Sequence, residues 1–469
     1  MTRPTIPTSP SVCLHRSEGQ TTPALDAGHA LVLYAGPGGS SLGLRLAGLT
    51  TVGIDNDPDA VATATAAELT EVQADVTTTD PVEFYNTHLA GHPGPFVLQS
   101  SPPCPGFSKA GTGAGRGDFP KIVDALEDLA HEPPDEREAT ALARRIFLDA
   151  ECVDARSSLT LETIRWVAAL RPDFVMMEQV REVLPVWQAY RTTLRAWGYS
   201  VWCGNVQAEQ WGVPQTRVRA ILLAGRHRPV HPPTPTHSRY NNRSPWKLDP
   251  GLLRWVSMAE ALGWGADTTV RSNYGTRGNP RNRGTRTADQ PAATITSKAG
   301  RNRVTHLGNV QARRRGTVRH ITEPAPTLPA AMDNGHYRWF AEDNPPDSLV
   351  DRDLVWRQVE SGRVDGYPRV NNQSGTLFDL AWPADRPAPA VAGRGLAPMP
   401  GANANRFNGR TKSRNDGIRL SVAEAGVLQT FPSDWPWTGN KNAQYAQVGN
   451  AVPPLLQAAL TCELLRRSR

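Results

Sequence analysis

Between His29 and Gly225 the sequence alternates short, wholly apolar runs with stretches of helical period. That alternation restricts the fold more than any other feature. Leu31–Ala35, Thr51–Asp55, Phe96–Gln99, Phe174–Met177 and Ala220–Leu223 have strand length, while Ser40–Ala47 and the segment opened by Pro58 read as helices. A strand that is apolar on both sides must be covered on both. The pattern therefore predicts an α/β fold with a doubly wound, mainly parallel sheet.

The remainder of the chain divides around this core. Residues 1–28, rich in Thr, Pro and Ser without period, read as a mobile tail. A charged helical stretch from Lys121 to Asp149, within an insertion at about 109–153, is more than such a sheet needs. From 226 to 418 the apolar runs vanish and Gly, Pro, Asn and Arg dominate, which predicts a smaller β- and turn-rich domain. Three related segments support it: GTRTADQPAATITSKAG (284–300), GTVRHITEPAPTLPAAM (316–332) and GTLFDLAWPADRPAPAVAG (375–393). Residues 419–469 return to the first pattern, with helices over Leu420–Leu428 and Pro454–Ser468, and are expected to rejoin the first domain.

Composition removes several classes. A chain of 469 residues has room for two or three domains, and 40 glycines with 41 prolines fall short of low-complexity disorder. No apolar run approaches the ~18 residues that cross a bilayer, and the first residues lack a secretory segment. Five scattered cysteines argue against a disulfide framework or a zinc module and fit the cytoplasm. The net charge is +6, and between Arg271 and Arg319 twelve Lys or Arg face one acid, Asp289. A surface of that kind suits phosphates, with Arg281, Arg283, Arg286, Arg301, Arg303, Arg313, Arg314 and Arg315 as its candidate contacts.

A glycine-rich turn follows the first strand: Tyr34, Ala35, Gly36, Pro37, Gly38, Gly39. Such a turn lets a ligand approach the backbone beside a helix N-terminus. Ser41 stands where a dinucleotide fingerprint needs its third glycine, and no P-loop lysine follows. Asp55, at the end of the next strand, can accept ribose hydroxyls, and Asp75, in QADV, can accept an adenine amino group. Together they describe a nucleoside cofactor without saying which.

Cys104 lies in SSPPCPGFSKAG, stiffened by Pro102, Pro103 and Pro105, directly after the Phe96–Gln99 strand. In an α/β sheet this is the edge where ligands bind. FVMMEQV brings Glu178 to the same edge. WGVPQTRVRAILLA carries Arg217 and Arg219, whose spacing of two would aim both guanidinium groups at one site.

With these residues in place the chain resembles the DNA (cytosine-5) methyltransferase family. YAGPGG looks like its cofactor loop, GIDND and ADV its ribose and adenine contacts, SPPCPGFS its nucleophile loop, and EQV its acidic motif. GVPQTRVR resembles the arginine motif, RLSVAEAGVLQTFP the segment after the recognition domain, and QVGNAVPP the closing motif. These stand in family order over 29–225 and 419–469, and 226–418 occupies the place of the target-recognition domain. Four positions depart from the pattern: Val32, Tyr34, Pro105 and Gln179, the last replacing an Asn.

The resemblance implies a Rossmann-like class I methyltransferase fold. It implies S-adenosylmethionine as cofactor, held at Tyr34–Gly39, Asp55, Asp75, Asn450 and Val452, and no metal. Cys104 would attack carbon 6 of a flipped cytosine, Glu178 would hold ring nitrogen 3, and Arg219, backed by Arg217, would bind the pyrimidine carbonyl. Partners would be double-stranded DNA and a cognate restriction endonuclease or defence system, with the protein a cytoplasmic, nucleoid-associated monomer off the membrane. The competing readings are a tRNA cytosine-5 methyltransferase, a catalytically inactive DNA-binding homologue and, more remotely, a nicotinamide oxidoreductase.

Overall fold

Each residue of the first strand, β1 (His29–Leu33), is buried, because its side chains alternate between two cores. Leu31 and Leu33 join Val52, Ile54, Leu98, Val175, Met177 and Leu222 on one face of a sheet. Ala30 and Val32 join Val97, Phe174, Met176, Ile221 and Leu223 on the other. The period-two pattern of an inner strand thus fixes a sheet covered on both sides. The computed structural model describes residues 28–103, 114–241, 244, 246–264, 269–275, 283–297, short strands between 303 and 383, and 418–465.

The sheet has seven strands: β1, β2 (Thr50–Asp55), β3 (Glu71–Gln73), β4 (Phe96–Ser100), β5 (Phe174–Val180), β6 (Ser200–Gln207) and β8 (Val218–Gly225). Their order is β3-β2-β1-β4-β5-β8-β6. β1 to β5 are parallel, and β8 runs antiparallel to both neighbours. The expected doubly wound sheet is therefore the observed one, with one reversed strand. Because β8 is reversed, Arg219 near its start lies beside Val180 at the end of β5. The order turns back at β1 and β4, which opens a crevice beyond their carboxyl ends.

Helices α1 (Gly39–Leu46), α2 (Pro58–Ala66) and α3 (Pro81–His88) link the first strands, and the latter two begin with Asp caps and a Pro in the first turn. The inserted stretch forms α4 (Phe119–Leu129) and α5 (Arg137–Glu151). Ile122, Ala125, Leu126 and Leu129 pack into the first core, so α4 completes the fold rather than decorating it. Buried Asp118 closes the insertion, accepting from Val153 N (2.8 Å), Asp154 N (3.2 Å) and Ser157 Oγ (2.7 Å). α6 (Leu159–Leu170) and α7 (Leu184–Ala196) cover the same face. After α8 (Met258–Leu262), the C-terminal helices α9 (Val422–Leu428), α10 (Lys441–Asn450) and α11 (Pro454–Leu465) return to the first unit.

Two compact units result, and their division differs from the one expected at 226. The first includes the described residues up to 266, those of 272–302 and those from 420 on; the second comprises 267–271 and 303–419. The reason lies in a short strand, Ala292–Ala293, which pairs parallel to β7 (Gln215–Thr216) and keeps this part of the chain with the first unit. In the second unit, Thr269–Arg271 pairs antiparallel with Arg303–Thr305, which pairs in turn with Ile418–Arg419. Of the three related segments, the first holds all but the opening residue of the strand Arg283–Thr287, and Ala292–Ala293; most of the other two lies outside the described residues. Among the described cysteines Cys152 and Cys203 are free.

Candidate active site

The glycine turn is built to bring backbone to a ligand. Tyr34, Gly36 and Gly38 have φ of 57°, 57° and 90°, and Gly38 caps α1. At Gly36 a side chain would point into open space, with no atom within 4 Å. The other two glycines are required by packing. A Cβ on Gly38 would fall 2.3 Å from Leu69 Cδ1, and one on Gly39 would fall 2.3 Å from the Val452 carbonyl oxygen. Val452, itself buried, therefore covers the turn from the C-terminal segment, with Phe431 beside it. Asn450 ends α10, exposed, two residues before it. The Tyr34 hydroxyl donates to Leu159 O at 3.3 Å, and burial holds it far above the usual phenol range.

Asp55 locks the turn from below. Its Oδ2 accepts from Gly36 N at 2.8 Å, and its Oδ1 accepts from Asp57 N at 2.8 Å. Burial raises its pKa, and these amide donors partly offset the rise. Asp75 lies two residues past β3, its Oδ1 accepting from Thr77 N (2.9 Å) and Thr77 Oγ1 (2.8 Å). The loop behind it hangs on Arg165, whose Nη2 donates to Val76 O and Thr79 O at 3.0 Å each. Arg165 is paired with buried Glu162 across one turn of α6. Sequence reasoning missed this pair, although two charges inside the apolar run LTLETIRWVAAL were a signal.

β1 and β4 end together, with Leu33 beside Ser100, and β5, level with them at Met177, runs on to Val180. The loop toward Cys104 leaves from this edge; Pro103 is its last described residue, and Cys104 lies outside the described residues. Glu178, buried, faces Arg219, with Nε 2.8 Å from Oε1. A guanidinium fixed on a carboxylate at this edge is an arrangement that can orient both on a planar heterocycle. Beside it, Gln179 Nε2 donates to Pro102 O while its Oε1 accepts from Val180 N at 2.6 Å. The longer side chain in place of Asn thus holds the proline loop.

Arg217 does not share the aim of Arg219, contrary to the expectation from their spacing. It precedes β8, is 1% exposed, and donates to Ile295 O (3.1 Å), Gly449 O (3.2 Å) and Ala451 O (3.0 Å). Gln215 works alongside, donating to Leu428 O at 2.7 Å and accepting from Ile295 N at 3.0 Å. These two side chains fasten the closing segment around Val452 to the arginine segment.

The candidate phosphate contacts are mostly beyond description. Arg281, Arg301, Arg313, Arg314 and Arg315 lie outside the described residues, and Arg283 and Arg303 are placed only as first residues of strands. Arg286 is committed elsewhere: it donates to Pro291 O (2.7 Å) and Ala292 O (3.0 Å) and stacks 5.1 Å from the Tyr240 ring. It is not a free contact for phosphate, as had been expected.

Comparison with known proteins gives the family of the chain. The family of C-5 cytosine-specific DNA methylases matches residues 30–125 and 149–466. The gap falls in the insertion, across the end of α4 and most of α5. The type II methyltransferase M1.HphI of Haemophilus parahaemolyticus is 24% identical over 443 residues, covering 92% of this chain and 86% of the relative. Among solved structures, the Dnmt2 methyltransferase of S. pombe aligns at 12% identity and a TM-score of 0.41, covering 93% of this chain and 98% of the other. The extent of the family match settles membership: this chain belongs to the C-5 cytosine-specific DNA methylase family.

Proposed function

We propose that the protein transfers a methyl group from S-adenosylmethionine to carbon 5 of a cytosine flipped out of duplex DNA, through a covalent adduct at Cys104. The observation that carries the reading is the Glu178–Arg219 pair, 2.8 Å apart, at the edge from which the Pro102–Pro103 loop leads to Cys104. Bound S-adenosylmethionine would supply the electrophilic methyl. The open backbone at Gly36 and the Asp55 carboxylate fit an adenosyl group, with Asp75 beyond them for the adenine amino group.

The chain's own residues do the rest. The Cys104 thiolate forms a bond to carbon 6 and drives electrons toward carbon 5, while Glu178 holds a proton at ring nitrogen 3 and Arg219 binds the carbonyl at carbon 2. Carbon 5 then takes the methyl and loses its proton to water, and the returning electron pair expels the thiolate. Extruding the base costs a few kcal/mol, which contacts elsewhere on the DNA must offset. The second unit and the basic stretch before it are read as the target-recognition region, without Arg286.

The type II naming of the relative supports a role beside a restriction endonuclease. A monomeric, cytoplasmic enzyme is the accompanying reading. No described helix is long and apolar enough to cross a membrane.

Cys104→Ser is expected to abolish methyl transfer while duplex binding persists, and 5-fluorocytosine DNA should crosslink to the wild type alone. Robust transfer by the variant would overturn the assignment. Parallel incorporation into duplex DNA and tRNA separates the main alternative, and bisulfite sequencing of DNA from expressing cells reads activity and target together.

A further inference from the structure

One half-buried acid beside the glycine turn has no part in the chemistry above. Glu71 opens β3, in register with Gly53 of β2, and its carboxyl folds back over that glycine. A Cβ on Gly53 would lie 1.6 Å from Glu71 Oε2 and 2.7 Å from the Ala35 Cβ, so the missing side chain makes the cradle in which the carboxyl rests. Oε1 accepts from Ser41 Oγ, in the first turn of α1, at 2.6 Å. Oε2 is buried and has no hydrogen-bond partner. Asp55, the other carboxyl facing this pocket, already carries the amides of Gly36 and Asp57. On α1 the basic residue, Arg45, is turned to Glu68 O at 2.7 Å and does not neutralise Glu71.

A carboxylate with one oxygen buried and orphaned holds its charge poorly in such a place. We propose that Glu71 is a positioning residue of the cofactor pocket, carried as the neutral acid, which ties the first turn of α1 to β2 and so fixes the glycine turn against Asp55. The inference deepens the proposed function and rests on its reading of this pocket as the S-adenosylmethionine site. Burial, with the Asp55 charge adding to it, pushes the Glu71 carboxyl up to about 8. Ionisation would drive the carboxyl toward water, because the cost of burying its charge outweighs the Ser41 hydrogen bond that favours the charged form, and its departure loosens the turn. Glu71→Gln keeps the shape and the neutrality. Glu71→Ala keeps neither the tie nor the filling of the cradle.

The test is calorimetry of S-adenosylhomocysteine with the full-length protein at pH 7 and at about pH 9.5, with thermal melts of the ligand-free protein at both values. We expect wild-type affinity to fall by about thirtyfold between the two pH values, following one-proton linkage, while Glu71→Gln stays within about twofold of its neutral-pH affinity. Glu71→Ala should bind about tenfold more weakly at both, as loss of a buried hydrogen bond predicts. Equal pH profiles for the wild type and Glu71→Gln, or wild-type affinity in Glu71→Ala, would overturn the proposal. Absence of binding by the wild type would instead fault the cofactor reading. The melts then still decide: a wild type that loses stability between these pH values beside a flat Glu71→Gln upholds the neutral acid, and identical melts refute it.

Discussion

The Arg217 guanidinium and the Gly449 carbonyl meet at 3.2 Å, though 232 residues separate them in sequence. With Ile295 O and Ala451 O on the same buried group, Arg217 is a fastening between distant segments. Arg217→Ala should therefore lower unfolding free energy by about 3–5 kcal/mol, since it strands buried carbonyls. Arg219→Ala should change stability far less and remove methyl transfer. Urea unfolding and single-turnover methylation of both variants check the contrast.

Gln179 holds the carbonyl of Pro102. Truncating it to Ala leaves the strand intact but frees the loop that carries Cys104. Methyl transfer should fall about 10- to 100-fold, the penalty of a misplaced reacting group, while duplex affinity stays close to wild type. Rapid-quench methylation beside a DNA-binding titration reads the two separately.

Asp55→Ala removes the acceptor for Gly36 N and Asp57 N. S-adenosylhomocysteine affinity should drop about tenfold or more, because charge-assisted hydrogen bonds go with it. Calorimetry checks this, and an unchanged affinity would remove Asp55 from the pocket.

Glu209, 0% exposed, sits outside the proposed chemistry, and burial raises its pKa to about 7 against the partial offset of Arg239 and Arg286. The folded state binds this proton more tightly than the unfolded chain does. Its stability is thus greatest below the ordinary Glu range, falls as pH climbs from 4.5 to about 7, and then levels. Glu209→Gln should be more stable than wild type by about 3 kcal/mol at alkaline pH, the difference shrinking toward zero near pH 4.5. Denaturant midpoints of both proteins across this range measure it.

Much of the catalytic unit was legible because its strands are buried on both faces, so their apolar runs stand out. Asp55 and Glu178 sit at strand ends that those runs mark. The aim of Arg217 was not legible. The rule that residues two apart share a face holds only inside a strand, and β8 begins at Val218, after Arg217. Where the two compact units divide was not legible for a similar reason. What retains the stretch after it is a two-residue pairing, Ala292–Ala293 on Gln215–Thr216, too short to leave a period. Glu71 left no trace either, since an acid opening a short edge strand is ordinarily a solvated one.

Gly39 lies under the carbonyl of Val452, so the glycine turn at the head of α1 is roofed by residues that follow the second unit in sequence. A polypeptide shortened before α10 would keep the sheet but lack that roof. The glycine turn is thus completed only by a segment that has to travel back past the whole second unit in sequence.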